Sequence, residues 1–454
     1  MPLRTFQFYK FTFSLFRYKY LVALILNLLL SKKKITDLFA TMADTAINSQ
    51  RLQTDTLNNG LKKKGDQLAV RTEHATNYLF NGFRVLGIYM PARRKWLYSL
   101  YSLIPNSLVT LWLPLSFVFS YFTMSAEDLV PSSLLTSIQV AINVIGCSVK
   151  IVVMAFLLPK LRKANAYMDR LDARCKDEDE IAELRKIVKQ GNRFVVLFAM
   201  SYWSYASSTF IGSVTFGRPP YDLYNPFIDW RKSKLEFVAA SLIEFALMDV
   251  ACFQQVVDDS YAVIYVCILR THMNILLKRL GKLATCTEMS LEQNLEELKL
   301  CIRDHKNLLG LYNIVAPIIS ITIFIQFMIT ASILSATLIN IFIFANQFST
   351  QVASCFYILA VVVEVFPLCY YAQCLMDDSD RLSQQIFHAN WIEQDVRFRK
   401  MLIFFMQRTQ RVMELNAGKI FPITLGSFLS IAKFSFSLYT LIEKMGIRER
   451  LGLE

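Results

Sequence analysis

The sequence predicts an all-α membrane protein with seven transmembrane helices. Of its 454 residues, 54% are hydrophobic and only 19% are charged, and the mean hydropathy is +0.35. A soluble domain usually carries about 25% charged residues, so this chain lacks the polar surface that water requires. Long apolar runs also recur along the chain, and a run of about 20 residues is enough to cross a bilayer as a helix.

Seven apolar runs are long enough to be spans. The fifth contains 35 residues, or about 52 Å of helix at 1.5 Å per residue. That length exceeds a bilayer core of roughly 30 Å but leaves no room for two spans and a turn, so we predict one helix that projects beyond the membrane. In chain order the predicted spans are 96–124, 132–158, 194–216, 237–257, 311–345, 349–376 and 420–442.

Basic residues divide unevenly between the segments that connect the spans. Of the 49 Lys and Arg, 39 fall before residue 96 or in the loops 159–193, 270–306 and 375–417, whereas the opposite loops and the tail hold 7. Cytoplasmic segments of membrane proteins are enriched in Lys and Arg. We therefore predict a cytoplasmic N-terminus and an extracellular C-terminus.

The first 41 residues form an unusual start. The apolar stretch from Leu21 to Leu30 is too short to span a bilayer, and Ser31 and three lysines follow it instead of the small-residue cleavage site of a signal peptide. Met42 opens a polar segment typical of a cytosolic start. We predict that 1–41 is an upstream extension or a disordered tail and that Met42 is the initiator.

Composition and spacing argue against enzymes, metal proteins and nucleic-acid binders. The four histidines lack the short spacings of a zinc site, and we find no nucleophile elbow, paired catalytic carboxylates or phosphate-binding loop. The formal charge of +13 comes without the basic face of a nucleic-acid binder. The nine cysteines lie outside the predicted extracellular loops, so we expect no disulfide framework. We likewise expect no enzymatic activity, cofactor or nucleic-acid partner.

Two stretches between the spans have the periodicity of amphipathic helices. Apolar residues recur at alternating steps of three and four, which is the pattern of a helix with one packed seam. Such seams usually pack within their own chain, but two of them beside an overlong fifth helix favour a cytoplasmic helical anchor bundle that could also join subunits. The seams are Leu291, Leu295, Leu298, Ile302, His305 and Leu309, and Phe398, Leu402, Phe405, Thr409 and Val412.

The C-terminal part of the chain resembles the insect odorant receptors. The resemblance lies in Trp391, in the motifs RFRK at 397–400 and MQRTQ at 406–410, and in AGKIFP at 417–422 and SIAKFSFSLY at 430–439. Seven spans, a cytoplasmic N-terminus and a short outside tail are also what that family shows. The long N-terminal extension and the continuation of the tail over 448–454 depart from it.

The resemblance implies a ligand-gated, non-selective cation channel built as a tetramer, with the last span of each subunit around a central pore. The connection at 259–310 is short, whereas the shared co-receptor of the family is expected to have a longer insertion there. The chain therefore resembles a variable ligand-sensing subunit. The implied partners are the shared co-receptor in a heterotetramer, a small volatile organic ligand and membrane lipid, in the plasma membrane of olfactory sensory neurons. The alternatives are a gustatory-type homomeric channel of the same superfamily, a metabotropic seven-helix receptor and, behind these, a transporter.

One face of the last span is predicted to border the pore. At about 100° per residue, the face centred on Ile442 lies opposite Lys433, nine residues earlier. A cation pore should not point a lysine at its axis, so the face of Ile442 is the one predicted to border the pore. The resemblance around Tyr439 places a narrow apolar constriction at Ile442, where bulky aliphatic side chains can close a pore by dewetting. The predicted pore and gate residues are Ser427, Ile431, Ser435, Leu438 and Ile442.

The outer half of the third span combines a hydroxyl, a gap and an aromatic wall. Thr209, Gly212 and Phe216 share a helical face, with Tyr205 one turn deeper. Volatile molecules offer few polar groups, so an apolar pocket with one or two hydrogen-bonding groups suits them, although ordinary helix packing uses the same residues. The resemblance places the pocket among the outer halves of spans two to six, which adds Ile138, Ile142, Ala240, Ile243 and Phe356.

Three acidic residues, Glu244, Asp249 and Glu364, lie inside apolar runs. A charge in the membrane usually faces the bundle interior or water, and the sequence leaves open whether these acids pair with Lys150 or line an aqueous vestibule.

The predicted segments are an extension (1–41), a cytoplasmic segment (42–95), spans one to four with the ligand-sensing region (96–258), a cytoplasmic connection (259–310), spans five and six (311–376), a cytoplasmic anchor helix (377–417), the pore span (418–445) and an extracellular tail (446–454).

Overall fold

A computed structural model of the chain describes residues 71–90, 95–123, 131–221, 223–283, 290–344 and 348–445. The predicted extension 1–41, the Met42 start and the tail 446–454 lie outside these residues. The elements are a 3-10 turn Thr72–Thr76, α1 Asn77–Val85, α2 Lys95–Pro105, a π-helical segment Asn106–Trp112, α3 Leu113–Thr123, α4 Pro131–Leu161, α5 Ala164–Asp172, α6 Glu178–Thr215, α7 Lys234–Lys282, α8 Leu291–Ile339, a second π-helical segment Asn340–Phe344, α9 Phe348–Phe387, α10 Val396–Thr409, β1 Asn416–Ala417, β2 Phe421–Pro422 and α11 Leu425–Lys444.

Six of the predicted spans correspond to helices that are long and apolar enough to cross a membrane, although the last helix begins at Leu425 and not at the predicted residue 420. The remaining one, 237–257, forms the first half of α7, which packs against α6, α8 and α9. Because much of α7 is buried by other helices, its polar residues face protein, where charged and amide groups can find partners. Among the described residues, the six stretches are Trp96–Thr123, Leu134–Leu161, Glu178–Thr215, Leu291–Phe344, Gln351–Phe387 and Leu425–Lys444.

Helices α7 and α8 each contain 49 residues, a length of about 74 Å at 1.5 Å per residue. Both are far longer than a bilayer core of roughly 30 Å, so α8, which contains the predicted fifth span, is long enough for the predicted projection. The helix that was predicted to begin at Leu291 and the fifth span are one continuous helix. Ser290 and Gln293 cap its start, where each side chain accepts a hydrogen bond from the backbone N–H of the other.

The 3-10 turn, α5, α10 and the adjoining ends of α6 to α9 form a region that we call the anchor bundle. The two predicted seams meet here, since His305 of α8 packs edge-on against Phe405 of α10 with ring centroids 5.4 Å apart. Phe398 is fully buried, whereas Ile403 and Phe404 on the other side of α10 are exposed. The seams therefore pack within the chain, and the opposite face of α10 stays open.

Two glycines permit close approaches between elements. A Cβ atom at Gly146 of α4 would lie 2.0 Å from Ile329 of α8, so these two spans can pack this closely only with glycine there. Gly418, in the turn between β1 and β2, has φ +61°, and its N–H donates to the Ser320 carbonyl of α8 at 2.8 Å. This contact fixes the hairpin on α8 just before the last span begins.

Candidate ligand pocket and pore helix

A small cavity lies where α4, α6, α7 and α9 meet the first π-helical segment. Its volume is about 30 Å³, counted as space open to the centre of a water molecule. A water needs about 10–15 Å³ by that measure, so roughly two waters fit and a larger molecule requires side chains to move. Much of the lining is aliphatic, from Val109, Val140, Val144, Met248, Ala251 and Val361.

Two tyrosines form an aromatic wall of the cavity. The rings of Tyr205 in α6 and Tyr357 in α9 lie with their centroids 4.6 Å apart and their planes tilted by 30°. Tyr205 is 8% exposed and Tyr357 is 4% exposed, and within the described residues neither hydroxyl has a hydrogen-bond partner. A buried hydroxyl normally finds a partner, so this wall holds two unused hydrogen-bond donors.

Buried polar side chains cross the helix bundle beside the cavity. The Lys150 Nζ atom lies 2.6 Å from Asp259 Oδ1 and donates to Gln326 Oε1 at 2.5 Å. The Tyr202 hydroxyl donates to Asp259 Oδ2 at 2.9 Å. Removing one partner of a buried ion pair costs about 3–5 kcal/mol, because the other charge is left uncompensated. We call this set, with two further members described next, the polar cluster: Lys150, Tyr202, Gln255, Asp259, Gln326 and Glu364.

Glu364 joins the polar cluster through amide side chains. Its Oε1 atom accepts from Gln326 Nε2 at 2.5 Å and from Gln255 Nε2 at 3.1 Å. Glu364 and Lys150 thus both bind Gln326. The sequence left open whether Glu364 pairs with Lys150, and the structure links the two through this amide. The direct partner of Lys150 is Asp259, which sequence reasoning missed because it lies just beyond the predicted fourth span.

Glu244 binds the backbone of the loop before α7 and is not a member of the polar cluster. Its carboxylate accepts from the backbone N–H groups of Tyr221 at 2.9 Å and Leu223 at 3.0 Å. These bonds hold the loop before α7 against the hydrophobic cluster that contains Tyr205 and Tyr221. Asp249 is half-buried on α7 and does not belong to the polar cluster.

The structure brings part of the predicted pocket together. Tyr205 lines the cavity, and Thr209, one turn along, is buried and donates to the Tyr205 carbonyl at 3.0 Å. Ile142 packs against the same hydrophobic cluster. Of the predicted pocket residues, only Tyr205 is in the cavity lining. Elsewhere, Ala240 is buried, Ile138 and Gly212 are half-buried, and Phe216, Ile243 and Phe356 are exposed.

The cavity therefore lies deeper in the bundle than the outer pocket that the sequence predicted. A helical wheel gives the face of a residue, but it gives neither the depth of a pocket nor the neighbouring helix. Tyr357 was missed for that reason. Its apolar run carries no signal that separates it from the aromatic residues around it, such as Phe356.

The last span corrects one predicted pore residue. Ser435 is completely buried, and its hydroxyl donates to the Ala331 carbonyl of α8 at 3.3 Å. A pore-lining side chain must be open on one side of its own subunit, so Ser435 does not line a pore. Lys433 is exposed on the opposite side of α11, and the other predicted pore residues are half-buried: Ser427, Ile431, Leu438 and Ile442.

Arginines tie the anchor bundle together. Arg279 of α7 donates to both carboxylate oxygens of Glu180, at 2.7 and 2.8 Å, and to Asp304 at 2.6 Å. Arg174 bonds to the same Asp304 and to Glu297. These contacts join the loop after α5 to α6, α7 and α8 through charge-assisted hydrogen bonds, which are the stronger kind.

A further buried contact in the anchor bundle joins the 3-10 turn to α5 and α7. The Thr72 N–H donates to Asp172 Oδ2 at 2.7 Å, and His272 Nε2 lies 3.5 Å from Asp172 Oδ1 and 3.2 Å from the Thr72 hydroxyl. Burial, reinforced by the charge of Arg279, lowers the pKa of His272 to about 4. Because that value lies well below 7, His272 is neutral at neutral pH. Burial also raises the pKa of Asp172.

These features define a class of protein. Long apolar helices surround a small pocket with an aromatic wall and few free polar groups, which is the kind of site that admits a small, mostly apolar molecule. The molecule is thus a helical membrane protein with an enclosed pocket among its spans.

Comparison with known proteins places the chain within that class. Residues 131–436 match the family described as the 7tm odorant receptor. Odorant receptor 42a of Drosophila melanogaster is 37% identical over 84% of this chain and 94% of its own length. Odorant receptor 42b of the same species is 36% identical over 84% of this chain and 95% of its own. This chain belongs to the odorant receptor family.

A solved structure shows the same fold. The insect olfactory receptor OR5 from Machilis hrabei matches with a TM-score of 0.65 at 14% identity, over 82% of this chain and 98% of that one. The structure of that receptor in complex with eugenol matches with a TM-score of 0.62 at 12% identity, over 82% and 99%. The prediction of an all-α, seven-span membrane protein and the resemblance to odorant receptors are confirmed. The homologues are receptors and not enzymes.

Proposed function

We propose that this chain is the ligand-sensing subunit of an odorant-gated, non-selective cation channel. The cavity walled by Tyr205 and Tyr357 carries the proposal, because a pocket with a largely aliphatic lining, whose amides and carboxyl group already have protein partners, suits a small volatile molecule. Family membership supports it, and the receptor OR5 from Machilis hrabei has a structure in complex with eugenol.

In this proposal the pocket acts on the pore through α8. Glu364 lines the cavity and accepts from Gln326 of α8. Five residues further along α8, the Ala331 carbonyl accepts from Ser435 of α11. A ligand that shifts α9 thereby shifts α8 and the last span, provided that it binds the open arrangement more tightly than the closed one.

The proposed channel is a heterotetramer with the shared co-receptor, in the plasma membrane of olfactory sensory neurons. Its N-terminus is cytoplasmic and its C-terminus extracellular, and α11 of each subunit borders a central pore that narrows at Ile442. Exposed apolar side chains at Ile403, Phe404 and Phe434 support subunit contacts on α10 and α11, since exposed apolar patches often mark interaction surfaces.

Recording of volatile-evoked currents in cells that express the chain with and without the co-receptor tests the proposal. We expect currents only when both are present, and a tag at Glu454 that is detected on intact cells. Currents from the chain alone would contradict the heteromer, and a tag that becomes visible only after permeabilisation would contradict the topology.

A cavity-filling variant tests the pocket. Ala251 lines the cavity, so Ala251→Leu should overpack it by about 1–3 kcal/mol and raise the half-maximal ligand concentration about tenfold or more. Ala246→Leu makes the same change on the exposed face of α7 and should leave the response unchanged. Equal responses of the two variants would place the ligand elsewhere.

A variant of the last span tests the gate. Ile442→Ala removes bulk from the proposed constriction and should raise the basal current, because a wider apolar ring admits water more readily. Leu441→Ala, at the exposed neighbouring position, is the matched control. A basal current that stays at the wild-type level in Ile442→Ala would show that the constriction lies elsewhere.

A further inference from the structure

We propose that the pocket selects small neutral molecules that carry a carbonyl oxygen, such as ketones and esters, by presenting the hydroxyls of Tyr205 and Tyr357 as two hydrogen-bond donors. The inference rests on the proposed function, because it names the chemical class of the ligand. It also goes beyond that function, since the aliphatic lining alone would accept a hydrocarbon equally well.

The two hydroxyls are the first observation. Both tyrosines line the cavity, both are more than nine-tenths buried, and neither hydroxyl has a hydrogen-bond partner in the described part of the chain. The Thr209 hydroxyl lies near that of Tyr205 and gives its own proton to the Tyr205 carbonyl, and no hydrogen bond joins the two hydroxyls. A buried donor without a partner destabilises the state that contains it, so a ligand that accepts from it gains affinity.

The amide side chains of the lining are the second observation. Asn143 donates to Gln255 at 3.2 Å, and Gln254 donates to the Cys147 carbonyl at 3.4 Å. Gln255 donates to Glu364, which also accepts from Gln326. Each of these amides already has a protein partner, whereas the two tyrosine hydroxyls have none among the described residues.

A carbonyl oxygen fits two donors best. It has two lone pairs and no proton of its own, whereas an alcohol must also find an acceptor for its proton. The cavity has room for about two waters, which can bond to the hydroxyls before a ligand arrives. A ligand that displaces such waters without replacing their hydrogen bonds loses affinity, so a hydrocarbon is disfavoured in either case.

The experiment compares ligands of the same shape on cells that express the chain with the co-receptor. The probes are the ketones from 2-pentanone to 2-octanone and the matching 2-methyl-1-alkenes, in which a methylene group replaces the carbonyl oxygen. We expect each ketone to act at a concentration about tenfold lower than its alkene, as one buried hydrogen bond predicts. A series in which ketone and alkene act equally would overturn the inference.

Hydroxyl deletions identify the donors. Tyr357→Phe and Tyr205→Phe should each raise the half-maximal concentration of the ketones several-fold and leave that of the alkenes unchanged. Tyr265→Phe is the matched control, because Tyr265 is buried with an unpartnered hydroxyl but does not line the cavity. The Phe variants should melt no earlier than the wild type, since they remove unpaired hydroxyls. A shift of ketones and alkenes by the same factor would overturn the donor role.

The outcomes separate this inference from the proposed function. If the cells respond to other volatiles but not to the ketones, or respond selectively to heptylamine as a partner for Glu364, the carbonyl class is wrong and the proposed function stands. If a channel at the cell surface responds to no volatile at all, the proposed function fails and the inference fails with it.

Discussion

Two regions of buried charge in the described part of the chain are built differently. Among the spans, the ion pair of Lys150 and Asp259 is extended by a tyrosine and by amides that also bind the side chain of Glu364. In the anchor bundle, the guanidinium groups of Arg174 and Arg279 share Asp304 and also bind Glu180 and Glu297.

The difference follows from the surroundings of each region and has a consequence for function. Charge is costly among helices that face lipid, where the polar cluster lies. In the anchor bundle more charge can be kept, because the planar guanidinium group of an arginine can bind several carboxylates. The polar cluster depends on amide hydrogen bonds that can rearrange around a ligand. The anchor bundle is held by charge, so it can stay fixed while the spans move.

The largest expected effect is the loss of Arg279. Arg279→Met leaves Glu180 and Asp304 buried with reduced compensation, at a cost of about 3–5 kcal/mol, so most thermal stability and surface expression should be lost. Lys186→Met is the control, since that side chain is 74% exposed and 4.0 Å from Glu183, a pair worth about 1 kcal/mol or less. Melting of the detergent-purified proteins gives the measurement. Equal melting of the two variants would show that the anchor bundle does not depend on Arg279.

The next effect concerns the polar cluster. Lys150→Met leaves the Asp259 carboxylate among the spans without its counter-ion and should lower the free energy of unfolding by about 3 kcal/mol. The double variant Lys150→Met/Asp259→Leu removes both charges and should recover most of that loss in the same melting assay. If the double variant is no more stable than the single one, the damage comes from lost packing and not from an uncompensated charge.

A smaller effect is expected at the hairpin that joins the two regions. Gly418 has φ +61°, and a Cβ atom there would lie 2.6 Å from the Phe324 ring. Gly418→Ala should therefore cost about 1–3 kcal/mol through strain and overpacking and should reduce ligand-evoked currents. Gly426→Ala is the matched control, because its Cβ atom would meet its nearest neighbour, the Thr424 hydroxyl, at 3.5 Å. A loss of current that is as large at Gly426 would refute the role of the turn.

The smallest effect is a pH dependence confined to the anchor bundle. Burial, with help from Arg279, lowers the pKa of His272 from 6.5 to about 4, so the unfolded chain takes up this proton at a higher pH than the folded chain. The stability that neutral His272 contributes is complete above pH 6.5 and is lost as the pH falls from 6.5 towards 4. Asp172, whose pKa burial raises, acts in the opposite direction when it takes up a proton.

Replacement of the histidine measures that dependence. His272→Gln has no ionisable group, so its melting temperature should fall less than that of the wild type when the pH is lowered from about 7 to about 5. The matched control is His388→Gln, on the exposed side chain after α9, which should keep the wild-type slope. Parallel slopes for wild type and His272→Gln would show that this histidine is not protonated on unfolding.

Prediction from the sequence succeeded where the signal is local. Hydropathy identified the spans, and the steps of three and four identified the seams that meet at His305 and Phe405. It failed where the answer depends on a neighbouring helix. Lys150 pairs with Asp259, 109 positions away, and no periodicity links the two. For Ser435, the position of Lys433 fixed one side of the helix but could not reveal that α8 covers the other.

The sequence by itself determined that the chain is a seven-span helical membrane protein of the odorant receptor family. The free energy of transferring residues from water to lipid adds up along contiguous segments, and the family motifs are contiguous too. The spans and the family can therefore be identified from the sequence alone. Only the tertiary structure decided that Asp259 neutralises Lys150, that Ser435 is covered by α8, and that Tyr205 and Tyr357 wall a cavity. Those outcomes depend on the distances between helices far apart in sequence, which close packing sets and local pattern does not.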